Sequence, residues 1–295
     1  MVVRIQTRFS GAGARLFTGL RVIILFTYSD VKTILLPISA FACVTGPVSS
    51  LHNGILAVLW IWLHLLQCNI SNQCNSALED LLNHPQRPIP SGLITETQSR
   101  FLRWALAILC LCLSGLLGLK TFSSSFLMTT TMIFYDDFHL AGHWSTKNLC
   151  TFAGYLCFEV GATLIMSRVK ELDDVAIRAL ACSGFIILST IHAQDFPDVE
   201  GDRALNRATI PIVAPNASRP ITALVIILWS LYSSSIWGLG IWSSLVLSSV
   251  GLIVAWRIYF LRLAVQDRTT YRVYNAWLMM LHLLPANARW DTLKL

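Results

Sequence analysis

The chain has 295 residues, 55% of them hydrophobic and 13% charged, with a net charge of +6, an isoelectric point near 9.0 and a mean hydropathy of +0.60. A soluble domain usually has about 25% charged residues, so too little polar surface is left here to cover a water-soluble globule and lipid becomes the expected solvent. The basic residues cluster without interleaved aromatics, which excludes a nucleic-acid surface and fits membrane topology and anionic ligands.

The first 30 residues carry Arg4, Arg8, Arg15 and Arg21 and no acid before Asp30. They lack an apolar run ending in a small-residue cleavage site, so residues 1–30 read as a basic N-terminal arm rather than a signal peptide. From residue 31 onward the apolar stretches are continuous rather than alternating. A bilayer admits helix bundles or closed barrels, and unbroken runs select helices. The expected fold is therefore all-α, a polytopic membrane bundle over residues 31–295 with no second soluble domain.

Membrane helices need about 20 apolar residues each, and nine candidates follow: 31–48 with a kink at Pro37, 54–75, 98–117, 122–135, 148–167, 174–194, 220–237, 241–262 and a short ninth at 274–284. Loops after the second, fourth, sixth and eighth candidates are longer and polar, holding Arg87, Lys147, Arg203, Arg207, Arg219, Arg268 and Arg272. Loops after the first, third and seventh are short, with Lys120 their only basic residue, and the loop after the fifth is mixed in charge. Lysine and arginine mark the cytosolic side, so the N-terminus and the polar loops are expected in the cytosol. The eight cysteines form no CxxC pair and no zinc-spaced cluster, and read as small packing residues.

Two of the polar segments carry chemistry. The second candidate helix ends in LLQCNISNQCNSALEDLLNHPQRPIPSG. Asn72, Ser76 and Asp80 recur at i, i+4 and i+8 on one helical face, with Glu79 close to it and Arg87 in the proline-rich turn beyond. Such polar groups commonly cap a helix or meet headgroups; four oxygen donors in one stripe suggest more. The sixth candidate ends in IHAQDFPDVEGDRALNRATIPIV, where Asp195, Asp198 and Asp202 fall at i, i+3 and i+7 and Glu200 points away to solvent. Like charges on one face repel, and near lipid their desolvation is costly, so a cation is needed to hold them together. Magnesium suits such hard oxygen ligands, because it bridges carboxylates to substrate phosphates while keeping waters. Both clusters end even-numbered helices and so face one side. A bundle that joins those helices would enclose one cavity with two acidic walls, with flanking arginines for diphosphate oxygens and an apolar interior below for a hydrocarbon chain.

At these residues the chain resembles the UbiA superfamily of intramembrane prenyltransferases. The family's first motif, Asn-x3-Asp-x3-Asp, aligns with Asn72, Ser76 and Asp80, followed by NHPQRPIPSG; its second, Asp-x3-Asp, aligns with Asp198 and Asp202, with Asp195 just before. The resemblance covers nearly the whole chain. It implies a prenyl diphosphate substrate held through Mg²⁺ by Asn72, Asp80, Asp198 and Asp202, a central cavity open laterally to the bilayer, and cap loops on the cytosolic side. The first aspartate of motif one is replaced by Ser76, with Glu79 a candidate substitute ligand. A further family motif, Tyr-x3-Lys, has His139 four residues after Tyr135, and Lys147 is the candidate replacement for contacting diphosphate, beside Arg87 and Arg203. The altered first motif and the QDxxDxxGD second motif are similar to the fungal branch of UbiA-type terpene cyclases.

The resulting expectation is a class I terpene cyclase that ionises farnesyl or geranylgeranyl diphosphate with Asp80, Asp198 and Asp202 as catalytic metal-holding residues. Aromatic rings would steer the cation; candidates are Tyr135, Phe158 and Tyr274, along with Trp62, Phe134 and Trp277, each of which is otherwise a packing or interfacial residue. The competing enzyme class is a prenyltransferase with an aromatic or other small acceptor, for which the sequence shows no acceptor pocket. A transporter or scaffold is disfavoured, because transporters carry charges near mid-membrane, whereas the helix interiors here are nearly uncharged apart from Glu159, which would meet a polar group across the bundle. The fungal resemblance implies the endoplasmic reticulum. No nucleic acid and no obligatory protein partner is expected, only the lipid bilayer and the substrate.

Overall fold

The computed structural model describes residues 12–77, 80, 81 and 84–294, and Glu79 lies outside the described residues. Among the described residues, thirteen α-helices account for nearly all of the regular structure. They are α1 (Ala12–Thr27), α2 (Leu36–Thr45), α3 (Leu51–Asn75), α4 (Glu96–Leu117), α5 (Leu119–Asp136), α6 (Trp144–Met166), α7 (Asp174–Thr190), the short α8 (Val199–Ala204) and α9 (Ile210–Val213), α10 (Ser218–Ile236), α11 (Ile241–Phe260), α12 (Ala264–Leu283) and α13 (Pro285–Trp290). Helix starts follow local chemistry. Ser50 accepts from Asn53 N (3.1 Å), Thr95 and Gln98 form a reciprocal capping box, and Asp173 accepts from Ala176 N (2.9 Å).

Seven helical stretches among the described residues are long and apolar enough to cross a membrane. The expected nine is therefore not reached by that measure, and the physical reason lies in α5 and α12. Both have the length, 18 and 20 residues, but α5 is rich in serine and threonine and α12 begins with Asp267, Arg268 and Arg272. The ninth element also starts earlier than expected. Only residues 261–263 link α11 to α12, so Arg268 and Arg272 sit on the first turns of a helix and not in a loop. The stretch Phe17–Thr45 runs through α1, a one-turn 3₁₀ segment, a π-type turn at Val31–Leu35 and α2, so half of the residues assigned to a basic arm belong to a helical span. Pro37 falls in the first turn of α2, where the missing N–H costs nothing, and the break it marks is the π-type turn just before it.

Helix α6 is central. It packs against α2, α3, α5 and α7, and α12 closes the ring between α11 and α2. The core runs through Trp60, Phe41, Ile61, Ile187, Trp277 and Leu278, all fully enclosed. Glu159, the acid inside α6, is completely buried and meets polar groups across the bundle as expected: Ser183 donates to it at 2.5 Å and His282 lies at 3.4 Å. At one end of the bundle the connections are short, and Arg289 on α13 clamps them by donating to the carbonyls of Val44 and Thr45 and to both carboxylate oxygens of Asp173 (2.6 and 2.8 Å). That guanidinium holds the Asp173 carboxyl below its ordinary range. The other end carries the long segments 76–95, 137–143 and 191–217, two of which are tied together by backbone bonds between Gly142, Trp144 and Ala208. The site lies under those segments.

Candidate active site

Two chambers lie one above the other at that end of the bundle. The outer one, about 420 Å³, is polar. The α3 end contributes Asn72, Ser76, Asp80 and Arg87, and the 3₁₀ segment Ile191–Asp198 with α8 contributes Asp195, Asp198 and Asp202. The two acidic walls read from the sequence thus face one space. In the 3₁₀ segment side chains three apart eclipse, which stacks Asp195 on Asp198. The switch to α-helix at Val199 then brings Asp202 onto the same side. Glu200 is exposed, as expected.

Each wall is held by a cation. Arg87 Nη1 donates to Asp80 (2.6 Å), Lys147 Nζ to Asp195 (2.6 Å) and Arg207 Nη1 to Asp202 (3.3 Å). Lys147 is itself buried, so its charge depends on Asp195. Replacing Lys147 by methionine is expected to destabilise the protein by about 2–5 kcal/mol, the usual result of leaving a charge without its buried partner. Thermal melting in detergent checks this, and Lys147→Met with Asp195→Asn should melt higher than Lys147→Met alone.

The donor set fits a hard divalent cation. Asp195 and Asp202 each keep one buried carboxylate oxygen with no hydrogen-bond partner among the described residues, a costly state that a metal or its waters would relieve. No three His, Cys, Asp or Glu side chains among the described residues converge tightly enough to form a closed metal cage. Magnesium commonly takes only one or two carboxylates and completes its shell from phosphate and water.

The inner chamber, about 310 Å³, is mainly apolar. Leu65, Cys68 and Asn69 of α3, Met128 and Met132 of α5, and Cys150, Gly154 and Phe158 of α6 line it. Asn72, Tyr135, Gln194 and Tyr271 border both chambers. Phe158 is buried at the apolar end and meets Trp60 edge to face (6.4 Å).

Several expected residues lie elsewhere. Arg203 is exposed and does not line either chamber, because it follows Asp202 by one residue and so points about 100° around a helix from it. Arg207, Arg268 and Arg272 line the outer chamber. Tyr274 is fully enclosed with its hydroxyl on Thr190 (2.9 Å), and Tyr271, one turn nearer the chambers, is the α12 ring that reaches both. Trp277 donates to Ser230, Trp62 donates to Thr27, and Phe134 is exposed against Phe138. Ser76 lines the outer chamber, but its hydroxyl is spent on the Asn72 carbonyl (2.8 Å).

The sequence reading missed two acids. Asp30 borders both chambers and is held by Ser29, Thr33 and Asn69; its signal was its isolation as the one acid before Glu79. Asp136 accepts from Ser71 and, at 3.4 Å, from the amide nitrogen of Asn72, which leaves the Asn72 amide oxygen as the end available to a cation. Next to it, Asp137 takes both Arg103 donors, which hold its carboxyl below the ordinary range. The signal there was an Asp-Asp pair straight after Tyr135 at the end of a membrane helix.

Known proteins share this plan. A fumagillin β-trans-bergamotene synthase of Aspergillus fumigatus is 32% identical over 230 residues, covering 75% of this chain and 74% of that protein. A polyprenyl transferase of Hericium erinaceus is 28% identical over 263 residues, covering 85% of this chain and 88% of that one. The solved structure of a UbiA homologue from Archaeoglobus fulgidus bound to GPP and Mg²⁺ has the same fold, with a TM-score of 0.65 at 13% identity over 90% of this chain and 99% of that one. The sequence profile of the UbiA prenyltransferase family matches residues 34–283. The chain therefore belongs to the UbiA prenyltransferase family, multi-pass membrane enzymes that act on prenyl substrates.

Proposed function

We propose that this protein is a class I terpene cyclase that ionises a prenyl diphosphate, farnesyl or geranylgeranyl, and folds the resulting cation onto its own double bonds. The observation that carries the reading is the shape of the inner chamber. From Leu65 to Gln73 on α3, from Met128 to Asp136 on α5 and from Cys150 to Phe158 on α6, it spans eight residues, a depth of about 12 Å at ~1.5 Å per residue. An extended chain advances about 1.1–1.2 Å per bond, so three isoprene units of four bonds each need about 14 Å by the same measure. A farnesyl chain enters only if it bends, and bending brings the distal double bonds towards the carbon that loses diphosphate. The bergamotene synthase and a diterpene cyclase of Hericium erinaceus, 29% identical over 198 residues, support this direction.

In this reading Asn72, Asp80, Asp195, Asp198 and Asp202 hold Mg²⁺. When bound, the cation would supply positive charge against the leaving diphosphate. Arg87, Lys147 and Arg207, each now on a carboxylate, are positioned to turn to diphosphate oxygens. Tyr135, Tyr271 and Phe158 offer ring faces or edges to the cation below. The apolar lining keeps water from quenching it early, and the final cation loses a proton or takes a late water. By loop charge the site faces the cytosol, with the endoplasmic reticulum as the membrane.

One feature favours the transferase alternative. A side chamber of about 480 Å³ with mixed lining lies beyond Asn72 and Tyr135, reaching Glu96 and His139, with room for an acceptor. The two readings separate when membranes containing the protein receive Mg²⁺ and farnesyl or geranylgeranyl diphosphate with no acceptor. Cyclic hydrocarbon supports the cyclase, and product formed only after an aromatic acceptor is added refutes it. Chelating divalent metal is expected to stop diphosphate release and added Mg²⁺ to restore it; release persisting in excess chelator would contradict the metal assignment.

A further inference from the structure

Glycine weakens a helix interior, so one in a membrane helix invites a reason, and three here share the same one. A Cβ on Gly161 would sit 2.2 Å from the Trp60 ring, one on Gly184 2.7 Å from Phe152, and one on Gly251 2.1 Å from the Ser230 hydroxyl. Those three let neighbouring helices approach. Gly154, midway along α6, differs: a Cβ there would have no atom within 4 Å. It lines the inner chamber between Cys150 and Phe158, four residues to either side on the same face. The space beside its Cα is therefore chamber and not helix packing.

We infer that Gly154 is a specificity-determining residue: its missing side chain gives the hydrocarbon the width to fold, and so sets the longest prenyl chain the chamber accepts. The assignment rests on the inner chamber holding the prenyl chain, as proposed above. Met132 of α5 and Cys68 of α3, flexible or small side chains, line the same chamber. A leucine at position 154 would place its Cβ in open space and carry three further carbon atoms into the chamber. One methylene in an apolar pocket already discriminates by about 10–200-fold, so the effect on long chains is large, and geranyl, which lies straight in the same depth, is spared.

The test uses the full-length protein in detergent with Mg²⁺ and the non-ionisable thiolodiphosphates of geranyl, farnesyl and geranylgeranyl alcohol, their dissociation constants read from ligand-induced thermal stabilisation. This readout needs neither turnover nor an acceptor. Gly154→Leu is expected to shift the geranyl-to-geranylgeranyl affinity ratio at least about tenfold towards geranyl, and Gly154→Ala to shift it in the same direction by less. Ligand-free Gly154→Ala should melt no lower than wild type, whereas Gly161→Ala, which meets Trp60, should melt lower. An unchanged affinity ratio in both Gly154 variants, or a Gly154→Ala melting temperature that falls as far as that of Gly161→Ala, would overturn the inference. Wild-type turnover of a prenyl diphosphate measured alongside keeps the two claims apart. Normal turnover with an unchanged ratio defeats Gly154 alone, and wild-type protein that neither binds nor turns over any of the three chains defeats both.

Discussion

Asp198→Asn is expected to lower diphosphate release about 10²–10³-fold, the range seen when one preorganised electrostatic contact to a developing charge is removed. Asp198 lies half-buried on the outer chamber wall between Asp195 and Asp202. Asparagine keeps its shape and removes its charge, so the fold should melt near the wild-type temperature while the Mg²⁺ concentration for half-maximal rate rises. Initial rates across a magnesium titration check both. A variant with wild-type rate and metal requirement would remove the second motif from the mechanism. Asp202→Asn should also lower the rate, since it removes a second carboxylate charge from the same chamber wall.

The second large effect is on stability. Arg219, at the start of α10, donates through two nitrogens to both oxygens of the buried Asp267 on α12 (3.0 and 2.7 Å). It also donates to the carbonyls of Ile258 and Leu261 and lies over the Phe196 ring (4.4 Å). One guanidinium thus joins α10, the end of α11, the start of α12 and the segment carrying Asp195 and Asp198. Arg219→Ala leaves Asp267 buried without its cation and is expected to cost about 3–5 kcal/mol, read as a fall in melting temperature with loss of activity. Arg219→Lys should recover little, since a single ammonium cannot reproduce the fork. Combining Arg219→Ala with Asp267→Asn should recover part of the loss. An unchanged melting temperature in Arg219→Ala would contradict the clamp.

These two residues also show which parts of the molecule were legible in the sequence. The acidic wall from Asp195 to Asp202 was readable because periodic like charges near lipid are costly and demand an explanation. The all-helical membrane fold was readable because composition leaves no other solvent. Arg219 was visible only as a loop cation, since its partner Asp267 is 48 positions away and no local pattern pairs them. Long separation also hid the role of Lys147, which finds Asp195 across the bundle, and of Asp136, which orients Asn72 from another helix. Tyr274 and Arg203 stay off the chamber linings for a simpler reason: proximity in sequence to a site does not fix which way a helical side chain turns. Tyr271 and Arg207, a few positions along, line the chambers instead. The polar helix α5 and the early start of α12 show the limit of hydropathy alone. Serine, threonine and even charged residues are accommodated where a helix faces the chambers or its neighbours and not lipid.

The most direct test of the central claim is a product balance on purified protein given Mg²⁺ and farnesyl or geranylgeranyl diphosphate, with no acceptor present. A folded chain in a short chamber predicts one cyclic product for each diphosphate released, with little linear alcohol. Diphosphate release matched only by linear alcohol, or no release until an aromatic acceptor is supplied, would contradict it.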